Sequence, residues 1–559
     1  MHIPVRVSSS AVVLTLVAVT AHLSGAPAPV KAGAVRTAGG FELTVDSIMR
    51  GPKLVGYPPT GLRWSGDSAR LYFEWRQAGD DETSTWVVAR EGGPPRKLTD
   101  EQRRSAPPVN GRWDRAHRRV LFVDRGDIVL LDTIAGTRRQ VTRTTGNEAN
   151  PRWARRESAI TFTRDNNLFV VPLDSGEIAQ LTDVQAKKRD PRDTDSQKFI
   201  KAEETKLIEH TRVEAEKKKK TEEKDKANAL PKFELADRQS ATDLQLSPDG
   251  THVFILVVER SESAKRPNVP NYVTESSYTE DIAARTFVGD AQDLRSLSVM
   301  NLETGKSVAV ESPATGAKDT KETTDMKPAV RWGMPLLSDD GALAIAHVRA
   351  ANNKDRWLVA VDPENGKVRV LDTLHDDAWV REVGGFGAVD PSFGLLADQK
   401  HVWFLSERDG WMHLYSLDAT APQPSARQLT QGKWEIDSVA LSTDRKTFYI
   451  DSSEIHPGER HLYAMPIDGG ERTRLTSMTG GTTGEASPDG STFGLIYSSS
   501  TAPNEVYLMP NRAGAAATRV TTTRTDPAWK PPMDHAPNTR SARTAFMTLV
   551  GCGRDPVRR

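Results

Sequence analysis

Two adjacent carboxylates, Glu203 and Glu204, are the residues of this 559-residue chain whose spacing most invites chemistry. They sit in a charged, helix-favouring run over 196–226, where Phe199, Ile200, Leu207 and Ile208 span one apolar arc of about 180° on a helical wheel. Both glutamates fall inside that arc, within a helical turn of Ile200 and Leu207. Burying such a pair requires a cationic partner. The competing reading is a charged arm whose carboxylates reach back to water. The run Lys217, Lys218, Lys219 and Lys220 reads as a solvated face, not a nucleic-acid patch.

Other chemistry is sparse. His375-Asp376-Asp377 is the single clustering of histidine with carboxylates, and it reads as a loop ahead of Trp379. A nucleophilic serine on a strained strand-to-helix elbow needs Gly-x-Ser-x-Gly, and Gly490-Ser491-Thr492-Phe493-Gly494 has its serine one place early. The chain has no His-Glu-x-x-His, Cys-x-x-Cys or phosphate-cradling glycine loop. No metal or cofactor is expected. Lys plus Arg equals Asp plus Glu at 75 each, which argues against nucleic acid or an anionic membrane as the main partner. A single cysteine, Cys552, excludes an internal disulfide.

The elements that must position these residues are strands. Residues 404–418 alternate with period two on both sides of Arg408-Asp409-Gly410, the pattern of a β-hairpin. Its close at Leu429-Thr430 recurs: units open with Trp or Ser and an Asp/Gly turn and end in Leu-Thr or Val-Thr. Openers include Trp64, Trp113, Trp153, Ser247-Pro248-Asp249-Gly250, Ser338 and Ser487. The closers Thr99, Thr142 and Thr182 lie 43 and 40 residues apart, and Thr430, Thr476 and Thr521 lie 46 and 45 apart. About four short strands per 40–45 residues is the signature of a β-propeller blade. The expectation is all-β: a propeller over 41–525, beginning with a strand at 41–49. Counting weaker units that end near Val308 and Val370 gives eight blades, with seven as the alternative. A helical insertion over 183–238 and a stretch at 267–290 carrying Tyr272, Tyr278 and Arg285 interrupt the period. The tryptophans near unit openings, including Trp332 and Trp434, are expected to pack between blades.

The ends differ in character. Residues 1–32 read as a secretory signal peptide, with Arg6 ahead of an apolar 11–21 and a small-residue cleavage site, so a periplasmic or secreted protein with no remaining membrane span is expected. Residues 526–559 carry Pro527, Pro531, Pro532 and Pro537, show no alternation, and read as an irregular tail, possibly translated out of frame.

The segment Ser406-Glu407-Arg408-Asp409-Gly410-Trp411, followed by His413-Leu414-Tyr415, resembles the penultimate-blade signature of dipeptidyl peptidase IV-type propellers in the prolyl oligopeptidase family of serine peptidases. Residues 454–463 and 45–59 support the resemblance. It implies a propeller that filters access to a C-terminal α/β-hydrolase with a Ser-Asp-His triad. It also implies a glutamate pair that clamps the substrate's free N-terminus; by position that pair is Glu203 and Glu204, although Lys201-Ala202 replace the family's aromatic context. With 34 residues after position 525 and no Gly-x-Ser-x-Gly, the expectation is a substrate-gating propeller without its hydrolase, inactive alone. Its partners would be peptides or a hydrolase domain in trans. The alternative is a periplasmic binding or scaffold propeller of Tol–Pal type. The Arg408 turn is expected to brace a neighbouring blade.

Overall fold

A computed structural model describes residues 44–187, 196–197, 199–200, 229–262, 267–284, 290–313, 329–381 and 392–524. The expected signal segment, Glu203 and Glu204, Arg285 and the tail lie outside these residues.

The period folds as successive antiparallel four-strand meanders. Meander A comprises Thr60–Trp64, Arg70–Trp75, Ser84–Ala89 and Arg96–Lys97. Meanders B, C, D and E occupy 112–140, 149–180, 239–309 and 330–375, and F, G and H occupy 393–428, 436–474 and 481–519. D and E share one sheet through a single parallel pairing, Arg295 with Arg331.

Recurrent side chains explain the recurrent sequence. In the openers, Ser487 Oγ donates to Asp489 Oδ1 at 2.6 Å, and Gly490, at φ +69°, turns its N–H back to the Ser487 carbonyl. The same serine-to-aspartate bond forms at Ser65–Asp67, Ser247–Asp249, Ser338–Asp340 and Ser442–Asp444. In the closers, the outer strand runs out of register after Leu or Val, and the next threonine hydroxyl extends the ladder. Thr142, Thr182, Thr430, Thr476 and Thr521 each accept a backbone N–H of the third strand at 2.8–3.0 Å. All five are buried. Thr99 differs: it caps the short helix Asp100–Arg103 in a capping box with Gln102. Replacing Thr430 by the isosteric valine orphans the buried Leu414 N–H and is expected to cost about 1–3 kcal/mol in urea unfolding. A loss below about 0.5 kcal/mol would deny the hydroxyl that role.

Both faces of each meander are covered, so the alternation sorts side chains between two neighbours instead of between core and water. In F, Val402, Phe404, Tyr415 and Leu417 pack with Ile345, Leu358 and Leu371 of E. The alternate residues Trp403, Leu405 and Leu414 pack with Ile436, Phe448 and Ile450 of G. Meander A closes on H: Trp64, Leu71 and Phe73 cluster with Val506 and Leu508, and Trp64 Nε1 donates to the Glu485 carbonyl at 3.0 Å. Trp332 and Trp434 are buried, and Trp153 Nε1 donates across to the Arg112 carbonyl at 2.9 Å. Trp113 instead stacks on His117, 4.8 Å between centroids, at an open surface.

The expected strand at 41–49 is a helix, Val45–Met49. Thr44 and Ser47 exchange side-chain-to-backbone hydrogen bonds at 2.8 and 3.1 Å, which starts the turn, and Val45, Ile48 and Met49 repeat at helical spacing. A second short helix, Pro52–Val55, follows, and strands begin only at Thr60.

The ends of the long insertion meet. Asp183–Ala186 pairs in parallel with Lys232–Leu235, so the chain leaves and re-enters the ring at one place. Phe199 and Ile200, within the expected helix, are 68% and 53% exposed, so those two described residues of its apolar arc find no cover. Within the second interruption, Asn268–Asn271 and Glu280–Ala283 form a hairpin that carries Tyr272 and Tyr278 into solvent.

Candidate functional site

The hairpin at the centre of the sequence argument forms with Phe404 opposite Tyr415 and Leu405 opposite Leu414. From its turn Arg408 reaches meander E, donating to both oxygens of Asp372 at 2.7 and 2.6 Å. The guanidinium lies 4.6 Å above the Tyr415 ring, so the charge is held by a carboxylate and a π-face together. Glu407 accepts the Arg381 N–H at 2.7 Å. Both residues brace neighbouring chain.

The His-Leu-Tyr repeat has a structural cause that the sequence reading missed. His413 is buried between Thr430 Oγ1 at 3.1 Å and the Gly432 carbonyl at 3.0 Å, with its ring edge-on to Trp434. His461, one meander later, meets Thr476 Oγ1 at 3.2 Å and Glu459 Oε2 at 3.0 Å. Each histidine therefore satisfies a closer threonine. The signal was partial: His-Leu-Tyr precedes Leu-Thr in both units, but the histidine lies 17 residues before Thr430 and 15 before Thr476.

His375 lies at a strand end, half exposed, between Asp355 Oδ1 at 2.6 Å and Asp377 Oδ1 at 3.2 Å. Hydrogen bonding to Asp355, then to Asp377, raises its pKa above the ordinary value. Asp376 instead accepts the Ala378 and Trp379 N–H groups, forming the expected loop. Ser491 is held in its opener turn, donating to Asp489 at 2.8 Å, and its hydroxyl also meets Thr492 Oγ1 at 3.3 Å.

A set of charge pairs lies on first strands and the loops next to them. Arg152 of C forms a two-pronged bond with Asp243 of D at 2.9 and 2.6 Å. Arg381 meets Glu435 at 3.2 Å, and Arg460 pairs with Asp437. Burial raises the Asp437 pKa, against the pull of Arg460 and Arg381. Water touches the Glu485 carboxyl, yet crowding by the surrounding ring still raises it above the usual carboxylate range, opposed by Arg63. Burial first, and then Arg356 and Arg349, push His347 down to about 3, so it is neutral at ordinary pH.

One opening joins meanders distant in sequence. A cavity of about 440 Å³ is lined by first strands and opener turns of B, E, F and G and by Trp403 of the second strand of F, including Trp113, His117, Leu337, Phe393 and Arg445. An Arg115–Asp339 ion pair links B to E at its rim. Glu203 and Glu204 are outside the described residues, so the structure does not relate them to this opening.

Residues 228–504 match the model of the dipeptidyl peptidase IV (DPP IV) N-terminal region. The chain is 25% identical over 246 residues to a probable dipeptidyl peptidase 4 of Aspergillus flavus, an alignment covering 41% of this chain and 29% of the relative. It is 22% identical over 348 residues to a probable dipeptidyl-aminopeptidase B of Talaromyces marneffei, covering 58% and 33%. Among solved structures, dipeptidyl peptidase 4 of Porphyromonas gingivalis superposes with a TM-score of 0.53 at 16% identity, covering 86% of this chain and 62% of that one. The matches thus span about a third or less of these fungal relatives' length and under two thirds of the bacterial structure. Signature hairpin, ring of meanders and family match converge: the chain contains a dipeptidyl peptidase IV-type N-terminal domain, folded as a β-propeller.

Proposed function

We propose that this chain is an eight-bladed, substrate-gating propeller of a secreted dipeptidyl-peptidase-like exopeptidase. The observation that carries the reading is the family match over 228–504, which coincides with meanders D to G and most of H. In this reading meanders A to H are the eight blades. Peptide-bond hydrolysis belongs to an α/β-hydrolase partner, because the sequence carries no Gly-x-Ser-x-Gly and Ser491, its nearest approach, is held in an opener turn by Asp489. Glu203 and Glu204 clamp the peptide ammonium from the insertion whose ends are tied at Asp183–Ala186 and Lys232–Leu235. Two carboxylates on one ammonium give charge-assisted hydrogen bonds and favour short peptides with a free N-terminus.

The test uses the purified chain, a labelled tripeptide and its N-acetylated form. The free-amine peptide is expected to bind at least about tenfold more tightly, a difference that Glu203→Gln with Glu204→Gln removes. Equal binding of both peptides would overturn the clamp. Release of chromophore from a dipeptide–chromogen substrate by the chain alone would overturn the assignment of hydrolysis to a partner.

A further inference from the structure

We propose that the opening between meanders B, E, F and G binds a small organic carboxylate with an apolar, preferably aromatic, body. The proposal is independent of the ammonium clamp, which lies on another part of the chain. Its first support is shape: the cavity of about 440 Å³ lies in the range of small-molecule sites and is walled by Trp113, Leu337, Phe393, Leu395 and Trp403. The walls come from first strands and from Trp403 of the second strand of F, all within paired sheets.

The second support is unmet hydrogen bonding. Trp403 is 2% exposed, and its indole Nε1 has no partner. His117 Nδ1 is buried and likewise without one. Both residues line this cavity. Native proteins leave few buried polar atoms unpaired, and two in one cavity point to an occupant. The indole N–H can only donate, so the occupant must bring an acceptor. Gly394 keeps the approach narrow: a Cβ there would lie 2.5 Å from Trp403 Nε1.

The third support is charge. Arg115 is committed to Asp339, and Asp114 is committed to Arg119 at 2.8 Å. Burial lowers the His117 pKa, opposed by Asp114, so the imidazole adds no positive charge near neutrality. Arg445 lines the same cavity from the turn of meander G and makes no ion pair among the described residues. A guanidinium without an ion pair among the described residues, lining the same cavity as an unmet N–H donor, selects an anion with accepting oxygens, and the aromatic walls select its apolar body. Carboxylate meets both requirements, in a free acid or at a peptide C-terminus.

Calorimetric titration of the full chain tests this with phenylacetate, its neutral isostere phenylacetamide, and a tripeptide ending in phenylalanine. Phenylacetate is expected to bind at least about tenfold more tightly than the amide, the size of one charge-assisted contact. Arg445→Gln should remove that preference, and Arg445→Lys should retain most of it, with melting temperatures little changed because Arg445 sits in a turn and makes no ion pair among the described residues. Trp403→Phe should weaken binding roughly threefold or more by deleting the donor. If the tripeptide binds and phenylacetate does not, the site takes a peptide terminus; the reverse assigns it to free acids. Equal affinity for acid and amide, no effect of Arg445→Gln, or no binding of either anion at ~10 mM would overturn the proposal.

Discussion

Gly56→Ala is expected to lower the unfolding free energy by on the order of 3 kcal/mol, read as a fall in the urea midpoint at unchanged slope. Gly56 closes the helix Pro52–Val55 with φ +90° and ψ 174°, donating its N–H to the Pro52 carbonyl at 2.8 Å. An L-residue resists that φ, and a Cβ there would sit 1.8 Å from the Thr523 carbonyl oxygen. One of the two backbones must move. Neither moves cheaply, since Tyr57 accepts the Trp75 indole N–H and Thr523 is held by a buried carboxylate. The contact joins residues near the two ends of the ring. A loss under about 0.5 kcal/mol would mean that this seam yields freely.

The buried carboxylate is the second site of large effect. Glu505, 2% exposed, accepts from Arg519 Nη2 at 2.6 Å, from Thr521 Oγ1 at 2.6 Å, and from the Thr523 N–H and hydroxyl at 2.8 Å each. It fixes the last closer and the residues that follow. Glu505→Ala strands these donors and is expected to cost about 3–5 kcal/mol in equilibrium unfolding. Glu505→Gln keeps an acceptor and the volume, and should recover part of the loss. Gly56→Ala and Glu505→Ala both act on Thr523, so their costs should be less than additive in a double-mutant cycle. Strict additivity, or a Glu505→Ala cost under about 1 kcal/mol, would show that the network does not hold the seam.

Much of this architecture is legible in the sequence, for local reasons. Asp-Gly turns, period-two alternation and recurrent Leu-Thr endings are short-range features, and each meander is built from neighbouring strands, so residues 404–418 and the closers other than Thr99 fold as read. Alternation does not say which face meets which neighbour. In F it separates contacts to E from contacts to G, and no face of the hairpin is left for water. Val45–Met49 reads as strand in sequence because its apolar residues suit either period; the Thr44–Ser47 exchange decides for the helix.

The sequence by itself determined the strand repeat, the turn chemistry, the break in period at 183–238 and the family signature around Arg408, because all of these reside in residues close along the chain. Only the tertiary structure decided that Arg408 bonds Asp372, that His413 and His461 serve the closers, and that Trp113 and His117 face Trp403 and Arg445 across one opening. The first of these join strands of one meander or of adjacent meanders, whereas the opening gathers residues some hundreds apart in a ring whose first and last meanders meet at Trp64 and Glu485. Closing the ring brings first strands from distant meanders around one opening, and no local pattern encodes which of them will converge there.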